Sequence, residues 1–448
     1  MVVSAQVGAK AAKIGYCPLK QEMSIMAPTL PRNGVSWRTL RRRMKEAREN
    51  DIRWREGRMT MSCYVVSDAL LQVQKEAYGM FLVENAMYSG EFAKRRKVGF
   101  LSLSKFEEEV VGMAIGILGG GERGAGTLTT GGTESIFLAV KAAREWAREK
   151  FPESRMPELV VPRSAHPAFN KAADYMGLRV RRVPLRSDFR ADVKRMADAV
   201  SKDTVMIVGS APSYPHGVID PIVELGGVAE ERGLWFHVDA CVGGFLAPFV
   251  RKLGYSIPDF DFSVRGVSSI STDLHKYGYA AKGASVILFR DGALRKYSEF
   301  RFDEWPHGSY STMTLCGSRT GGAIAAAWAV MNSLGESGYL KAAETIMGLK
   351  QRIANGVCNI DGLVVRGDPE LGIMTIGSDQ LDMGAVADGM SERGWAISRG
   401  KEPPSIHLTL NPVHKPVVEV FLSDLAAVAE EVRQGRLRSR GIEAVYVG

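Results

Sequence analysis

The spacing of apolar residues predicts helices in the N-terminal quarter of the chain. Apolar residues recur at helical intervals over 67–87 and 104–118, and Ser36 is placed to cap a helix that runs to about Asn50. Between the second and third of these helices, residues 88–99 are polar and bounded by glycine, which predicts a loop.

From residue 126 onward, short β-rich runs alternate with helical segments. The β-rich runs are Leu159–Val161, Val180–Val183, Val205–Val208, Leu234–Val238 and Ser285–Phe289, and the helical segments are Glu134–Lys150, Pro167–Met176 and Pro221–Glu231. Strands that alternate with helices predict a mainly parallel sheet that is covered on both faces. Because ligands bind at the carboxyl ends of such strands, we expect the functional residues directly after these runs.

After about residue 330 the pattern changes to a helix, short strands at Gly372–Gly377 and Ser405–Leu410, and a last helix over Pro416–Gln434. This order predicts a separate, smaller α/β layer. We therefore predict an α/β protein of three domains: an N-terminal helical segment with a contact loop (1–100), a large domain with a mainly parallel sheet (101–330) and a small C-terminal α/β domain (331–448).

Composition narrows the class of protein. The chain has 448 residues, enough for two or three domains of roughly 150 residues each. With 45% hydrophobic and 24% charged residues it has an ordinary globular composition, and no run approaches ~18 apolar residues, so we expect no transmembrane segment.

The net charge of +8 is concentrated at Arg38–Arg48 and Lys94–Lys97. Such clusters are typical of a nucleic-acid or membrane-surface patch, or of a solvated helix face and loop. No zinc spacing or nucleic-acid module accompanies them, so we expect neither a metal nor a nucleic-acid partner.

The five cysteines, Cys17, Cys63, Cys241, Cys316 and Cys358, are scattered, odd in number and form no CxxC pair. This usage favours a reducing compartment over a disulfide framework. The N-terminus also lacks a charged-then-apolar signal pattern, and we predict a cytoplasmic protein.

Two motifs carry candidate binding chemistry. Thr129–Ser135 (TTGGTES) leads directly into a helix, where small residues and free N–H groups favour a phosphate, although such a turn can be purely structural. Asp239 ends an apolar strand in His237–Ala240 (HVDA). An ionised carboxylate there could keep a heteroaromatic nitrogen protonated, or it could simply cap the next helix.

Two further motifs carry a lysine and a histidine. Lys276, next to His275 in Ser271–Gly278 (STDLHKYG), is a candidate Schiff-base amine or an exposed loop lysine. If it is catalytic, we expect desolvation and neighbouring cations to lower its pKa. His166 follows a strand in Ser164–Asn170 and could lie flat on a pyridine ring, or be a hydrogen-bonded loop histidine.

The order of these motifs is that of a pyridoxal 5′-phosphate (PLP) enzyme of the aspartate-aminotransferase fold, fold type I. From about Leu30 to its end the chain resembles the sphingosine-1-phosphate lyase family, within the PLP-dependent group II decarboxylases. The resemblance is carried by GTLTTGGTESIFLAVKAARE, SAHPAFNKAADYMG, SYPHGVIDP, HVDACVGGFLAPF, STDLHKYGYAAKG, GSRTGG (317–322) and PPSIH (403–407).

The resemblance implies a role for each matching residue, in a large domain with a seven-stranded sheet plus a small domain. Lys276 would carry PLP, Asp239 would pair with its ring nitrogen, and His166 would stack on the ring. The cofactor phosphate would be bound by Gly132, Thr133, His275 and, from the second subunit of a homodimer with a shared active site, Ser318. Tyr214 would face the reacting amine and hydroxyl, and Tyr64 and Lys282 would contact the substrate.

The sequence departs from the family at one place. Tyr88 stands where the family has a histidine that helps hold a substrate phosphate, and a basic insertion, residues 89–99, follows it. The insertion could supply replacement cations from Lys94, Arg95, Arg96 and Lys97, act as a lid, or be a surface loop.

We expect a lyase that cleaves the Cα–Cβ bond of a phosphorylated β-hydroxyamine to an aldehyde and phosphoethanolamine. A PLP-dependent amino-acid decarboxylase, or a related enzyme that forms or cleaves C–C bonds by aldol-type chemistry, is the alternative. A catalytically silent binding protein is a further possibility, which a failure to bind PLP would favour.

Overall fold

The structure is a computed structural model that describes residues 29–61, 63–88, 97–151 and 156–444. The N-terminal part contains three helices: α1 (Trp37–Ala47), α2 (Asp68–Met80) and α3 (Leu101–Ile117). Short 3₁₀ turns lie at Arg48–Asn50, Trp54–Glu56 and Ala86–Tyr88.

The predicted start of the first helix is confirmed, because Ser36 Oγ accepts the N–H of Thr39 at 3.3 Å. Helix α2 ends at Met80, seven residues earlier than predicted. The chain leaves the helix there to pair with a distant loop, where Ala86 N–H donates to the carbonyl of Arg319 at 2.9 Å.

A seven-stranded sheet forms the centre of the molecule. Its strands are β1 (Ala125–Thr129), β2 (Glu158–Pro162), β3 (Arg179–Val183), β4 (Thr204–Ser210), β5 (Trp235–Asp239), β6 (Val267–Thr272) and β7 (Ser285–Phe289). Their order is β1-β7-β6-β5-β4-β2-β3, and β7 runs antiparallel to both of its neighbours while the other pairings are parallel. The predicted mainly parallel sheet of seven strands is confirmed.

Two strands were not among the predicted β-rich runs. Strands β1 (AGTLT) and β6 (VSSIST) are rich in small hydroxyl residues, which conceal the strand pattern. In the interior, Ser135 Oγ lies 2.7 Å from Thr129 Oγ1 of β1 and 2.9 Å from Ser285 Oγ of β7, so these three hydroxyls are hydrogen-bonded to one another.

Helices cover both faces of this sheet. They are α4 (Gly132–Lys150), α5 (Ala168–Met176), α6 (Val193–Ala199), α7 (Ile222–Arg232), α8 (Ala247–Lys252) and α9 (Gly292–Arg295), with a 3₁₀ turn at Lys296–Ser298. Successive strand residues point to opposite faces, so Val160 packs in one apolar core while Leu159 and Val161 pack in the other. Burial on both faces explains why the strands read as continuous apolar runs.

The C-terminal part forms a second, smaller layer, as predicted. Its elements are α10 (Gly321–Cys358), β10 (Val364–Val365), β11 (Ile373–Gly377), α11 (Met383–Glu392), β12 (Ser398–Lys401), β13 (Pro404–Thr409), a 3₁₀ turn at Pro412–Val417 and α12 (Val418–Arg433). The four strands form an antiparallel sheet in the order β10-β11-β13-β12. A two-stranded ribbon of β8 (Phe300–Phe302) and β9 (Tyr310–Thr312) precedes this layer. Helix α10 passes through residue 330, and the three-domain division stays a prediction.

The sequence led us to expect no transmembrane segment and no disulfide framework, and the described residues bear on both. None of the helices in the described ranges is both long and apolar enough to cross a lipid bilayer. The four cysteines in those ranges, Cys63, Cys241, Cys316 and Cys358, are free thiols.

The loop that follows β4 joins the two sheets. Thr375 Oγ1 donates to the carbonyl of Pro215 at 3.0 Å, and His407 Nε2 donates to the carbonyl of Tyr214 at 2.7 Å. Gly217 has φ +73°, and a Cβ there would lie 2.3 Å from the carbonyl oxygen of Ile373. Only glycine therefore allows this close approach.

We predict that Gly217→Ala lowers the free energy of unfolding by at least about 2 kcal/mol, because the substitution adds both a left-handed backbone penalty and a clash. Gly227→Ala is the matched control: this glycine lies in α7 with no atom within 4 Å of an added Cβ. The control should stabilise the protein by about 0.5–1 kcal/mol. Urea unfolding measures both, and equal stabilities would contradict the proposed contact.

Candidate active site

A cavity of about 360 Å³ opens at the carboxyl ends of the parallel strands. Sixteen residues line it: Thr130, Gly131, Gly132, Thr133, Glu134, Ile136, His166, Ser210, Pro212, Tyr214, Asp239, Cys241, Val242, Asp273, His275 and Lys276. All four motifs that the sequence singled out contribute to this wall. The loops after β1, β2, β4, β5 and β6 meet at one edge of the sheet because these strands share a direction.

The first motif forms the turn from β1 into α4. The first N–H groups of a helix have no intrahelical partner, so the start of α4 at Gly132 can bind an anion. A Cβ on Gly132 would lie 2.9 Å from both carboxylate oxygens of Asp273 and from Cys241 Sγ. This position therefore requires glycine, and it joins the turn to the lysine-bearing loop.

The predicted amine lies inside the cavity, but our expectation for its pKa is wrong. Lys276 Nζ forms an ion pair with Asp273 Oδ2 at 2.9 Å. Burial alone would lower the pKa of Lys276, but the neighbouring Asp273 carboxylate outweighs burial and raises it well above its usual value. In turn Lys276, with His275, holds the pKa of the buried Asp273 below its usual value against the effect of burial. The ion pair therefore keeps the amine protonated in this state.

Asp239 and His166 line the same cavity. Asp239 Oδ1 accepts the N–H of Cys241 at 3.1 Å and the hydroxyl of Ser271 at 3.3 Å. His166 Nδ1 accepts the N–H of Ala168 at 3.1 Å, so the neutral ring carries its proton on Nε2. Burial lowers the pKa of His166, against the opposing effect of Asp239. The carboxylate stays available as an acceptor, and the imidazole is a neutral ring.

His275 lies beside the anion-binding turn. Its Nδ1 accepts the N–H of Ala284 at 3.3 Å, and a Cβ on Gly131 would lie 3.4 Å from its Cε1. Burial lowers its pKa to about 4, against Asp273, which raises it. His275 is therefore a neutral hydrogen-bonding group.

Tyr214 reaches the cavity from the loop after β4. Its ring lies 4.6 Å from the ring of His407, centroid to centroid, and its carbonyl accepts from the same histidine. Burial lowers the pKa of His407 to about 4, so this donor is neutral. The sequence singled out PPSIH (403–407) without assigning a role to His407, because only the fold brings β13 behind this loop.

Tyr64 and Lys282 lie beside the lysine-bearing loop, outside the lining of the cavity. Lys282 Nζ lies 5.4 Å from the centre of the Tyr64 ring and 3.4 Å from the carbonyl oxygen of His275. Tyr64 packs edge-on against Tyr277 at 4.9 Å. Burial, and then the charge of Lys276, lower the pKa of Lys282. These two residues therefore form a cationic and aromatic border next to the cavity.

Ser318 and Tyr88 lie apart from the cavity of their own chain. Both side chains are exposed, and the segments that carry them pair with each other. Asn85 Nδ2 donates to Ser318 Oγ at 3.0 Å, and the 3₁₀ turn Ala86–Tyr88 follows it. Within the basic insertion, Lys94, Arg95 and Arg96 lie outside the described residues.

The fold adds groups that the sequence reasoning left without a role. Asp273 forms the ion pair with Lys276, and Cys241, whose N–H donates to Asp239 Oδ1, lies at the cavity wall. Burial, with Asp239, raises the pKa of Cys241 well above its usual value, so the thiol stays protonated. The signal for Asp273 was its place in STDLHK, three residues before the lysine.

Comparisons with known proteins agree with this arrangement. Residues 108–374 match the pyridoxal-dependent decarboxylase conserved domain. The sphingosine-1-phosphate lyase of Arabidopsis thaliana is 43% identical over 90% of this chain and 74% of its own length. A solved structure of the sphingosine-1-phosphate lyase of Burkholderia pseudomallei superposes with a TM-score of 0.86 at 36% identity, over 92% of this chain and 94% of that one. A probable L-tyrosine/L-aspartate decarboxylase of Methanothermobacter thermautotrophicus is 38% identical over 73% of this chain and 88% of its own length.

Fold and site thus define a PLP-dependent enzyme of fold type I. The chain belongs to the pyridoxal-dependent decarboxylase family, and within it to the group whose curated members are sphingosine-1-phosphate lyases. The resemblance stated from the sequence is confirmed.

The residues present fit the cofactor that this family uses. The start of α4 offers N–H groups for a phosphate, and Asp239 and His166 lie at the same cavity as the amine. Two buried polar atoms at the cavity, Ser210 Oγ and Asp273 Oδ1, have no hydrogen-bond partner within the described part of the chain. Buried polar atoms of this kind normally have partners, and a bound polar ligand would supply them.

We predict that the free energy of unfolding falls as the pH falls from about 6.5 toward 4. Burial lowers the pKa of the fully buried His237 and His407 from 6.5 to about 4, so between these values the unfolded chain binds more protons than the folded one. At pH 5 the two histidines together should cost roughly 2–4 kcal/mol relative to pH 7.5. His216 and His275, whose pKa values burial also lowers to about 4, add to this loss, and Asp220, whose pKa burial raises to about 7, offsets part of it. Urea unfolding at pH 5, 6 and 7.5 measures the slope. His307→Gln, at an exposed side chain, should leave it unchanged, and equal stability at pH 5 and 7.5 would contradict the prediction.

Proposed function

We propose that the protein is a PLP-dependent lyase that cleaves the Cα–Cβ bond of a phosphorylated β-hydroxyamine resembling sphingosine 1-phosphate. The products are a long-chain aldehyde and phosphoethanolamine. The observation that carries the proposal is the convergence of Lys276, Asp239 and His166 on one cavity, beside Lys282. The names of the curated relatives support the choice of substrate.

We assign the cofactor to the groups that line the cavity. Lys276 would hold PLP covalently, Asp239 would keep its ring nitrogen protonated, and His166 would contact the ring. Gly132, Thr133 and His275 would bind its phosphate at the start of α4. When bound, the cofactor supplies an electron sink for the bond that breaks at Cα.

Two proton transfers accompany the cleavage. The substrate hydroxyl would lose its proton to a basic group at the site, and Tyr214 or the amine of Lys276 would donate a proton to Cα. Tyr214 is held for this task by His407, which fixes its carbonyl from behind. Asp273 lies 2.9 Å from Lys276 Nζ and can accept a hydrogen bond from the amine once it is released.

We assign binding of the substrate phosphate to Lys282 and Tyr64. The ammonium group of Lys282, whose pKa is lowered, lies next to the Tyr64 ring, so the two side chains offer a cation and a phenol outside the cofactor pocket. Tyr88 replaces the family histidine and can donate a hydrogen bond but no charge. Lys97 and the other cations of the insertion at 89–99 are candidates to supply that charge.

We propose a homodimer with a shared active site. Ser318 is exposed and absent from the lining of its own cavity, as expected of a residue that serves the partner. Apolar side chains are exposed in two places that a second copy would cover: Trp37, Leu40 and Met44 on α1, and Phe300, Phe302, Trp305 and Leu315 on the ribbon and the loop after it. We also propose a cytoplasmic location, supported by the free cysteines of the described ranges.

An amino-acid decarboxylase on the same cofactor is the second candidate. Two observations favour it: the loss of the phosphate-binding histidine at Tyr88, and the 38% identity to a probable L-tyrosine/L-aspartate decarboxylase. In that reaction the bond to the carboxylate breaks, so the same residues would act on a different group at Cα.

We predict that Lys276→Ala abolishes turnover and the visible absorbance of lysine-bound cofactor, because no other amine lines the cavity within the described residues. Lys282→Ala is the matched variant. It should keep the absorbance and raise KM for a phosphorylated substrate about ten- to a hundredfold, since a charge-assisted hydrogen bond to phosphate is lost. Absorbance spectra and steady-state kinetics measure both. Retained absorbance and turnover in Lys276→Ala would refute the assignment of the lysine.

A product screen separates the two reactions. Purified enzyme with PLP is offered phosphorylated and unphosphorylated β-hydroxyamines and amino acids, and products are detected by mass spectrometry. We expect a fatty aldehyde and phosphoethanolamine from a phosphorylated long-chain base, with no CO₂. Release of CO₂ from an amino acid without aldehyde would establish the decarboxylase instead.

A further inference from the structure

A buried carboxylate connects the anion-binding turn to a remote loop. Glu134, in the first turn of α4, is 5% exposed and forms no ion pair with any residue in the described ranges. Its Oε2 accepts the N–H and the hydroxyl of Thr130, at 2.7 and 2.6 Å. Its Oε1 accepts the N–H of Leu315 at 2.8 Å and that of Cys316 at 3.4 Å. One side chain therefore ties together two segments that are 185 residues apart, from Thr130 to Leu315.

The loop that Glu134 holds leads directly to Ser318. Cys316 lies two residues before this serine, and Thr314 Oγ1 donates to the carbonyl of Cys316 at 2.7 Å. On the far side of the serine, Arg319 donates to the carbonyl of Leu128, in the strand that leads into the anion-binding turn, at 3.2 Å. Ser318 itself is exposed and lies outside its own cavity. The exposed serine is thus presented by a loop that is fixed on one side to Glu134, beside the anion-binding turn, and on the other side to the strand that leads into this turn.

We propose that Glu134 is a positioning residue for two active sites at once. Through Oε2 it holds Thr130 and the phosphate-binding turn of its own subunit. Through Oε1 it holds the loop that presents Ser318 to the cofactor phosphate of the partner subunit. The inference rests on the shared active site proposed above, and adds the group that couples the two halves of the dimer.

The chemistry of the side chain explains why glutamate serves here. A carboxylate has two oxygens that only accept, so it can satisfy donors on two sides at the same time. Glutamine keeps one accepting oxygen and turns an NH₂ group toward the other side, so it can accept from the backbone N–H of the turn or from that of the loop but not from both. Aspartate keeps both acceptors on a side chain shorter by one methylene.

A mixed dimer in which only one chain keeps Lys276 separates the two roles. Two differently tagged chains are co-expressed and the mixed dimer is purified. The live chain keeps Lys276 and therefore holds the live site, and the silent chain carries Lys276→Ala. Glu134→Gln is then placed on the silent chain alone. The readouts are PLP affinity, from borohydride reduction of the lysine-bound cofactor followed by intact mass of the live chain, and kcat and KM of the live site.

We expect Glu134→Gln on the silent chain to weaken PLP binding at the live site about tenfold, and Ser318→Ala on the silent chain to do the same. On the live chain, Glu134→Gln should also weaken PLP binding, through Thr130. Glu134→Asp on the silent chain should give a smaller loss than glutamine. The matched control is Glu145→Gln, in the same helix and paired only with Arg144 and Arg148 among described residues, which should change nothing from either chain.

Three results would overturn the inference. If Ser318→Ala acts from the silent chain while Glu134→Gln does not, the shared site stands and the role of Glu134 is refuted. If Ser318→Ala acts only from the live chain, the shared site and the inference both fail. Glu134→Gln could also act from the silent chain only because that chain is unstable. In that case the mixed dimer will show a lowered unfolding midpoint, and Glu134→Asp will lower PLP affinity and turnover as much as Glu134→Gln does. This result would also refute the inference.

Discussion

The geometry of the site depends on the contact between a glycine backbone and a buried ion pair. The turn into α4 passes so close to Asp273 that a Cβ at Gly132 would meet both oxygens of its carboxylate. The same carboxylate holds the ammonium of Lys276 at 2.9 Å. The turn into α4, the acid and the amine are therefore packed as one unit. The high pKa of the amine follows from this contact, because the Asp273 carboxylate is buried and water screens its attraction for the amine only weakly.

Much of the fold could be predicted from the sequence because the central strands are buried on both faces. Continuous apolar runs such as Val205–Val208 and Ser285–Phe289 predict buried strands when helical segments alternate with them. Strand β6 was not predicted because its serines pair with groups that only the fold brings close. Trp235 Nε1 and His237 Nδ1 both contact Ser269 Oγ, at 2.9 and 2.8 Å. A pattern of apolar positions carries no signal for such partners.

Some features of the candidate site could likewise be predicted from the sequence, and others could not. Residues at strand ends, such as Asp239 and His166, could be predicted because the direction of the strands brings their ends to one edge. The charge state of Lys276 could not be predicted, since it depends on Asp273, three residues earlier, whose side chain turns inward. The contact that holds Tyr214 could not be predicted either, because His407 comes from a second sheet about 190 residues later in the chain. Long-range packing decides these details, and local sequence does not contain it.

Helix α10 has a consequence for how the two layers are joined. This helix begins beside the loop that carries Ser318 and ends in the C-terminal layer, and at Gly335 the backbone leaves the helical region with φ 54° and ψ −176°. Almost only glycine adopts this combination of torsion angles. The direction in which the serine-bearing half of the helix departs from the C-terminal layer is therefore set by the backbone of one residue that carries no side chain.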